Sequence, residues 1–237
     1  MTAPSAASIA SKSTLTRIPP KAVLFDIDGT LVDTNDLHAN AWRETFLHFG
    51  IDLPYQTIRE QIGKGGDNLI PTLIPESDEA EREALQTHVS ELYKRCYLPR
   101  AVPFPGVRAL FERLAADGIR IVLASSSSTE EVRYNLGIVA ASDLVEAATS
   151  RDDVESSKPC PDIFEAALAK LAPLGPEDVI VIGDTPWDVK AATKAGIRMI
   201  GFRSGGFPDE ALAGACALYD GPADLLARYD ESVFARG

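Results

Sequence analysis

Continuous apolar runs constrain the fold of this chain more than any other feature. They cover Ala22 to Phe25, Ile119 to Ala124, Val179 to Ile182 and Met199 to Phe202, with a further candidate over Leu144 to Ala148. A strand with one wet face alternates apolar and polar residues. A strand that is apolar at every position is buried on both faces, as in a parallel sheet covered by helices on each side. Helical patterns fill the intervals. Val107, Leu110, Phe111 and Leu114 share one face, and Gly118 stops that helix. Ser128 and Glu131 have the spacing of a capping box. Pro161 suits the first turn of a helix carrying Ile163, Phe164, Ala167, Leu168 and Leu171, and Thr185-Pro186 starts another that Gly196 ends. Strand and helix alternate. The expected class is therefore α/β, with a doubly wound, Rossmann-like parallel sheet.

The rhythm breaks between Asp33 and Phe104, which shows no strand pattern and is too long for a simple βα connection. Leu37, Ala41, Trp42, Thr45, Phe46 and Phe49 form a helical stripe closed by Gly50, and Glu79 to Tyr97 also reads as helix. The expected organisation is a disordered tail over 1–20, an α/β core from 21–34 and 104–237, and a small all-helical domain over 35–103. That domain is inserted after the first strand and returns through Pro99, Pro103 and Pro105. The cleft between two such domains is a preferred ligand site.

Composition narrows the partners. A formal net charge of -12 argues against nucleic acid and against an anionic membrane surface, both of which need a basic face. It leaves open a small anionic substrate drawn in by a local site. No apolar run approaches the ~20 residues of a membrane span. Residues 1–20 lack the apolar segment of a secretory signal; Lys12 and Arg17 without an acid faintly resemble a transit peptide, and a tail is the preferred reading. Cys96, Cys160 and Cys216 form neither a C-x-x-C pair nor a zinc spacing, so they are expected to be reduced, mostly packed thiols of a cytoplasmic protein.

Three of the runs end in polar clusters: Asp26-Ile27-Asp28-Gly29-Thr30, Ser125 to Ser128, and Gly183-Asp184-Thr185 with Asp188 following. Ligands of an open α/β sheet bind beyond the carboxyl ends of its strands, so these clusters can converge. Positions two apart in an extended segment face the same way, which directs Asp26 and Asp28 to one site. With Asp184 they make three acids whose mutual repulsion calls for a cation, and hard oxygen ligands suit Mg²⁺. Turn chemistry would account for each acid separately but not for their convergence. A calcium loop fails on spacing, since Gly29 falls fourth from Asp26 rather than sixth. Lys158, in an extended or turn backbone before Pro159, could reach a phosphate or a nucleophilic carboxylate. Ser125 is best placed at its strand end to donate a hydroxyl, with Ser126 the fallback.

D-x-D-G-T after an apolar strand, a serine after a second strand, K-P-x-P-D-I-F, and G-D-x-x-x-D after a further strand resemble, in order, the motifs of the haloacid dehalogenase-like hydrolase superfamily. The resemblance spans nearly the whole chain after about Lys21 and includes a helical cap. It implies that Asp26 is the nucleophile forming an aspartyl-phosphate, and that Asp28 protonates the leaving oxygen and then activates water. Thr30 would position Asp28, with Gly29 supporting the turn. Ser125, with Ser126, and Lys158 would hold phosphoryl oxygens. Asp26, the backbone carbonyl of Asp28, and Asp184 would bind Mg²⁺, with Asp188 as ligand or support. Asp33 would be a turn or hinge residue.

The stretch "DTNDLHANAW" and the turn "IGKGGDN" resemble caps of phosphoglycolate phosphatase-like and β-phosphoglucomutase-like members. His38 is either a substrate contact or a partly buried polar contact, and Trp42 packs in the core. Lys64 either faces the leaving group or sits in a solvated turn. The expected activity is an Mg²⁺-dependent phosphatase of a small phosphorylated metabolite, such as phosphoglycolate or a sugar phosphate. A sugar-phosphate mutase is disfavoured by Gly183 before Asp184 and by Gly65-Gly66 after Lys64. A non-enzymatic phosphate- or metal-dependent module is disfavoured by the intact acid and lysine set, and a dehalogenase by Asp28. Monomer and homodimer remain open.

Overall fold

The computed structural model describes residues 19–235, so the tail expected over 1–20 lies outside the described residues except for Pro19 and Pro20. Strand β1 (Ala22–Phe25) leads through a turn to β2 (Val32–Asp33). The chain leaves through α1 (Asn35–His48), α2 (Tyr55–Arg59), α3 (Gly66–Leu73) and α4 (Glu79–Leu92), and returns through β3 (Val102–Pro103). There follow α5 (Val107–Ala116), β4 (Arg120–Ala124), α6 (Thr129–Val139), β5 (Ala147–Thr149), α7 (Asp162–Ala169), β6 (Val179–Gly183), α8 (Pro186–Lys194), β7 (Arg198–Phe202), β8 (Ala217–Tyr219) and α9 (Pro222–Ala227).

The main sheet is parallel throughout, in the order β5-β4-β1-β6-β7-β8. β1 is central, with Phe25 in register with Leu123 of β4 and Ile182 of β6. The chain builds outward from β1 in one direction and then in the other. That reversal opens a crevice at the carboxyl ends of β1, β4 and β6. Both faces of the sheet are buried, which explains the continuous apolar runs. Val23, Phe25, Leu123 and Ile182 pack with Val107, Phe111 and Leu225 on one side. Ala22, Leu24, Ala124 and Val181 pack with Phe164, Leu171 and Ala191 on the other. Burying each such large side chain stabilises the fold by about 1.5–3 kcal/mol, whereas an unpaired charge at either parity would cost more.

The helices between β2 and β3 have an apolar cluster of their own, which includes Trp42, Phe46, Leu69, Leu85, Val89 and Tyr93. Trp42 packs there as expected, 6% exposed. Two crossings of the chain join this helical insert to the sheet: β2 and β3 pair antiparallel, with Asp33 opposite Val102. Sequence patterning missed this ribbon, as it missed β8, because strands of two or three residues carry no period. Asp33 thus belongs to the ribbon. The candidate strand at Leu144 to Ala148 is shifted: Leu144 closes a 3₁₀ turn, and Ala147–Thr149 pairs with β4. The expected helix over Glu79 to Tyr97 is α-helical to Leu92 and then widens into a π turn over Tyr93–Tyr97. The thiols correct another expectation: Cys96 and Cys216 are exposed, and Cys160 is half-buried. No helix of the described residues is long and apolar enough to cross a membrane.

Candidate active site

Asp26 continues the ladder one residue beyond β1, its N–H donating to the Ile182 carbonyl at 2.9 Å. Its carboxylate is therefore fixed at the crevice. Lys158 Nζ lies 2.5 Å from Asp26 Oδ1 and 2.7 Å from Asp188 Oδ1, and the lysine is 1% exposed. Burial disfavours the ammonium, but Asp188 and Asp26 outweigh it and hold the Lys158 pKa above its usual value. Burial pushes Asp26 well up; Lys158 opposes that rise, while Asp188, Asp184 and Asp28 add to it. The other oxygen of Asp188 accepts from the Thr185 backbone N–H (3.0 Å) and hydroxyl (2.5 Å), closing the cap of α8.

Asp184 follows β6. It accepts from Thr30 Oγ1 at 2.7 Å and from Asn35 Nδ2 at 2.8 Å. Burial, with Asp188 adding, pushes Asp184 up to about 7 despite those donors. Gly29 stands between, at φ +76, where a Cβ would overlap both Asp184 and Asn35. Only glycine meets both demands. Carboxylate oxygens of Asp26, Asp184 and Asp188 lie within 4.8 Å of one another, all buried. Against these acids stands one buried lysine, and the buried Asn35 Oδ1 has no hydrogen-bond partner among the described residues. An all-oxygen donor set short of positive charge fits a hard divalent cation. Asp184 and Asp188 each have both oxygens engaged, Asp184 by Thr30 and Asn35 and Asp188 by Lys158 and Thr185.

Asp28 turns the other way, toward the helical insert. Its Oδ1 accepts from Thr34 Oγ1 at 2.7 Å and lies 3.1 Å from His38 Nε2. Its Oδ2 accepts from Ser127 Oγ at 2.7 Å and Ser125 Oγ at 3.3 Å. Burial alone would raise Asp28, but His38, Ser127 and Thr34 more than reverse that and hold it well below the usual carboxylate range. Burial likewise works against the charge on His38, and Asp28 overrides it to raise the imidazole. The ring stacks on Tyr93 at 3.9 Å between centroids, where the π turn begins. The Tyr93 hydroxyl is buried without a hydrogen-bond partner among the described residues.

These groups face a cavity of about 70 Å³ between sheet and insert, lined among others by Asp26, Asp28, His38, Trp42, Ser126 and Arg151. The insert meets the core at the amino end of α3. Asp67 Oδ2 accepts from the Ser157 N–H at 3.0 Å, and Asn68 Nδ2 donates to the Ser157 carbonyl at 2.9 Å. A Cβ on Gly65 would overlap the Ser157 side chain.

Several expectations need correction. Thr30 bonds to Asp184, not to Asp28; Thr34 and His38 take the place assigned to it. Lys64 is half-buried and lines the cavity, with its ammonium held on the insert side and against α8. Its Nζ bonds Gln61 (2.7 Å) and Thr72 (3.1 Å) and lies 4.0 Å from the Trp187 ring centroid. Ser126 lines the cavity, but its hydroxyl makes no hydrogen bond among the described residues, and Ser127 is the serine closest to Asp28. His38 is a polar contact to Asp28 that also lines the cavity. Thr34, Asn35, Ser127, Tyr93 and Arg151 were missed. Two of them carried a usable signal: Ser127 shares the parity of Ser125, and Thr34 lies one helical turn before His38.

The family model described as haloacid dehalogenase-like hydrolase matches residues 23–202. The chain is 31% identical over 219 residues to Protein CbbY of Cereibacter sphaeroides, covering 86% of this chain and 94% of that protein. It is 29% identical over 217 residues to a phosphoglycolate phosphatase of Rhodospirillum rubrum, covering 87% of this chain and 89% of the relative. A hydrolase from Pseudomonas syringae has a crystal structure that superposes with a TM-score of 0.84 at 31% identity, covering 90% of this chain and 99% of that one.

Proposed function

The chain belongs to the haloacid dehalogenase-like hydrolases, and from that premise we propose that it is an Mg²⁺-dependent phosphatase of a small phosphorylated metabolite, phosphoglycolate or a sugar phosphate. One observation carries the reading. The two acids of the first motif are separated by environment, Asp26 against Lys158 and Asp28 against His38. Two carboxylates so divided take different roles.

Asp26 is the nucleophile. Its oxygen attacks phosphorus while the bond to the leaving oxygen breaks, leaving an aspartyl-phosphate that water hydrolyses. Lys158, anchored by Asp188, keeps positive charge beside an anion that must meet another anion. Ser125 and Ser126 receive phosphoryl oxygens. Asp26, the Asp28 carbonyl and Asp184 would hold Mg²⁺, and the ion would supply neutralisation of charge on the transferring group.

Asp28 handles the protons. An acid held well below the usual range has no proton of its own at neutral pH. Its partner His38 is raised by Asp28, which favours the imidazolium form, and we assign the shared proton to that ring. The pair therefore carries one proton in common. Asp28 passes it to the leaving oxygen and later accepts one from water, with the imidazole as reservoir. Cavity size agrees with a small substrate: at ~10–15 Å³ per held water, this space takes a phosphoryl group and a short carbon chain.

The test is phosphate release with Mg²⁺ across phosphoglycolate, hexose and pentose phosphates and nucleotides. Net release from small monoesters is expected. Isomerisation without net release would identify a mutase, and no turnover of any ester would reject the enzyme assignment.

A further inference from the structure

Arg151 stands at the wall of the active-site cavity without a hydrogen-bonded counterion; Asp152 beside it acts on it only through charge and accepts from the Thr129 N–H instead. Its guanidinium has no hydrogen bond, ion pair or ring contact among the described residues, although the side chain is half-buried and lines the cavity. The chain satisfies its other cations there. Lys158 is taken by Asp26 and Asp188, and Lys64 by Gln61, Thr72 and the Trp187 ring. Glu131, the acid on the same wall, spends Oε2 on the Ser128 N–H. A half-buried guanidinium left unpaired loses hydration without compensation, unless a ligand supplies the acceptor.

The backbone beneath it is held firmly. Arg151 N–H donates to the Ser127 carbonyl at 2.9 Å, tying this loop to the serine loop that contacts Asp28. Ser150 and Asp153 exchange hydrogen bonds around the 3₁₀ turn Arg151–Asp153. Asp152 accepts from the Thr129 N–H at 2.8 Å, and Thr129 Oγ1 meets Ser150 Oγ at 2.8 Å. A fixed loop removes the backbone share of the entropic cost of binding, leaving only the side chain of Arg151 to be ordered by the ligand.

We propose that Arg151 is a specificity residue that receives a second anionic group on the substrate, a carboxylate or second phosphate carried on the carbon skeleton away from the transferred phosphoryl. The proposal rests on the phosphatase reading and narrows its substrate class to small phosphomonoesters with a second anion. Guanidinium suits either group, since it meets both with parallel N–H bonds. The local charge matters because the chain as a whole, at -12, repels anions.

The experiment compares 2-phosphoglycolate with 2-hydroxyethyl phosphate, its neutral counterpart of equal length, in the Mg²⁺-loaded full chain. The expected wild-type KM is about tenfold or more lower for the carboxylate ester, as for a charge-assisted pair. Arg151→Ala collapses that ratio toward one, and Arg151→Lys restores part of it. A wild-type ratio near one, or a ratio that survives Arg151→Ala, overturns the proposal. Calorimetric binding of 3-phosphonopropionate against propylphosphonate separates the two readings. If no ester is hydrolysed but the carboxylate ligand binds more tightly through Arg151, the subsite stands and the phosphatase reading falls. If hydrolysis proceeds and the two ligands bind equally, the subsite falls and the phosphatase reading stands.

Discussion

His38 Nε2 lies 3.1 Å from Asp28 Oδ1, so one oxygen of this carboxylate is held from the first turn of the helical insert, while the other is held by Ser127 and Ser125 at the end of β4. Asp26, two residues earlier, answers to Lys158 from the opposite side of the core. Displacing the start of α1 therefore alters the surroundings of Asp28 and leaves the Asp26–Lys158 pair untouched.

His38→Gln tests this division. Removing the imidazole takes away the proton reservoir and the main attraction holding Asp28 ionised. A kcat loss of roughly 10²-fold at neutral pH is expected, at the lower end of what acid–base groups contribute. The pH profile moves as well. The wild-type alkaline limb follows the raised His38 pKa, above 6.5, and in the variant activity declines from a lower pH. An unchanged profile would detach His38 from the chemistry.

Asp26→Asn should remove turnover to background while the chain stays folded. Lys158 keeps its 2.7 Å pairing with Asp188, so the buried ammonium is not stranded. Phosphate release and the thermal midpoint, measured together, check both halves of the statement; a normal rate would reject Asp26 as nucleophile.

The acid cluster makes the metal-free protein pH-sensitive. Asp184 stands at about 7 and Asp26 is raised too, against 3.8 for an ordinary aspartate. The folded chain thus keeps protons that the unfolded chain has lost, and stability falls as pH rises from about 4 through about 7. The His38–Asp28 attraction has the same sign on its upper side. It is fully present below 6.5 and fades as pH rises through the folded value. On the proposed assignment, bound Mg²⁺ would offset the carboxylate repulsion. The gain in Tm on adding Mg²⁺ should therefore be larger near pH 8 than near pH 5.5, with EDTA reversing it and stopping activity. Equal gains at both pH values, or full activity after chelation, would contradict the assignment.

Gly65→Ala probes the contact of insert and core. The new methyl overlaps Ser157, next to Lys158, so α3 must back away and loosen the Asp67 and Asn68 bonds to the Ser157 backbone. A loss of roughly tenfold in kcat/KM is expected, about 1.4 kcal/mol of positioning. Gly137→Ala in α6 is the contrast: its methyl meets nothing within 4 Å, and it should raise stability by about 0.5–1 kcal/mol. Denaturant midpoints and steady-state kinetics separate the two.

The sheet was legible in the sequence because burial on both faces leaves no room for polar residues, so Ala22 to Phe25 and Val179 to Ile182 announce themselves. The acids were legible because Asp26, Asp28 and Asp184 each terminate such a run, and strand ends have a fixed place in an open sheet. The sequence by itself determined which chemistry gathers at the crevice. It did not determine which side chain serves which. Thr30 and Thr34 are the same residue type four positions apart, yet one bonds Asp184 and the other Asp28. Lys64 and Arg151 both line the cavity, yet Lys64 lies on the Trp187 ring of α8 and Arg151 makes no such contact among the described residues. The most telling of those choices depend on contacts between segments far apart in the chain, as with Thr30 and Asp184, 154 residues apart, and Lys64 on Trp187. Local spacing carries no information about partners so distant, and only the packed tertiary structure assigns them.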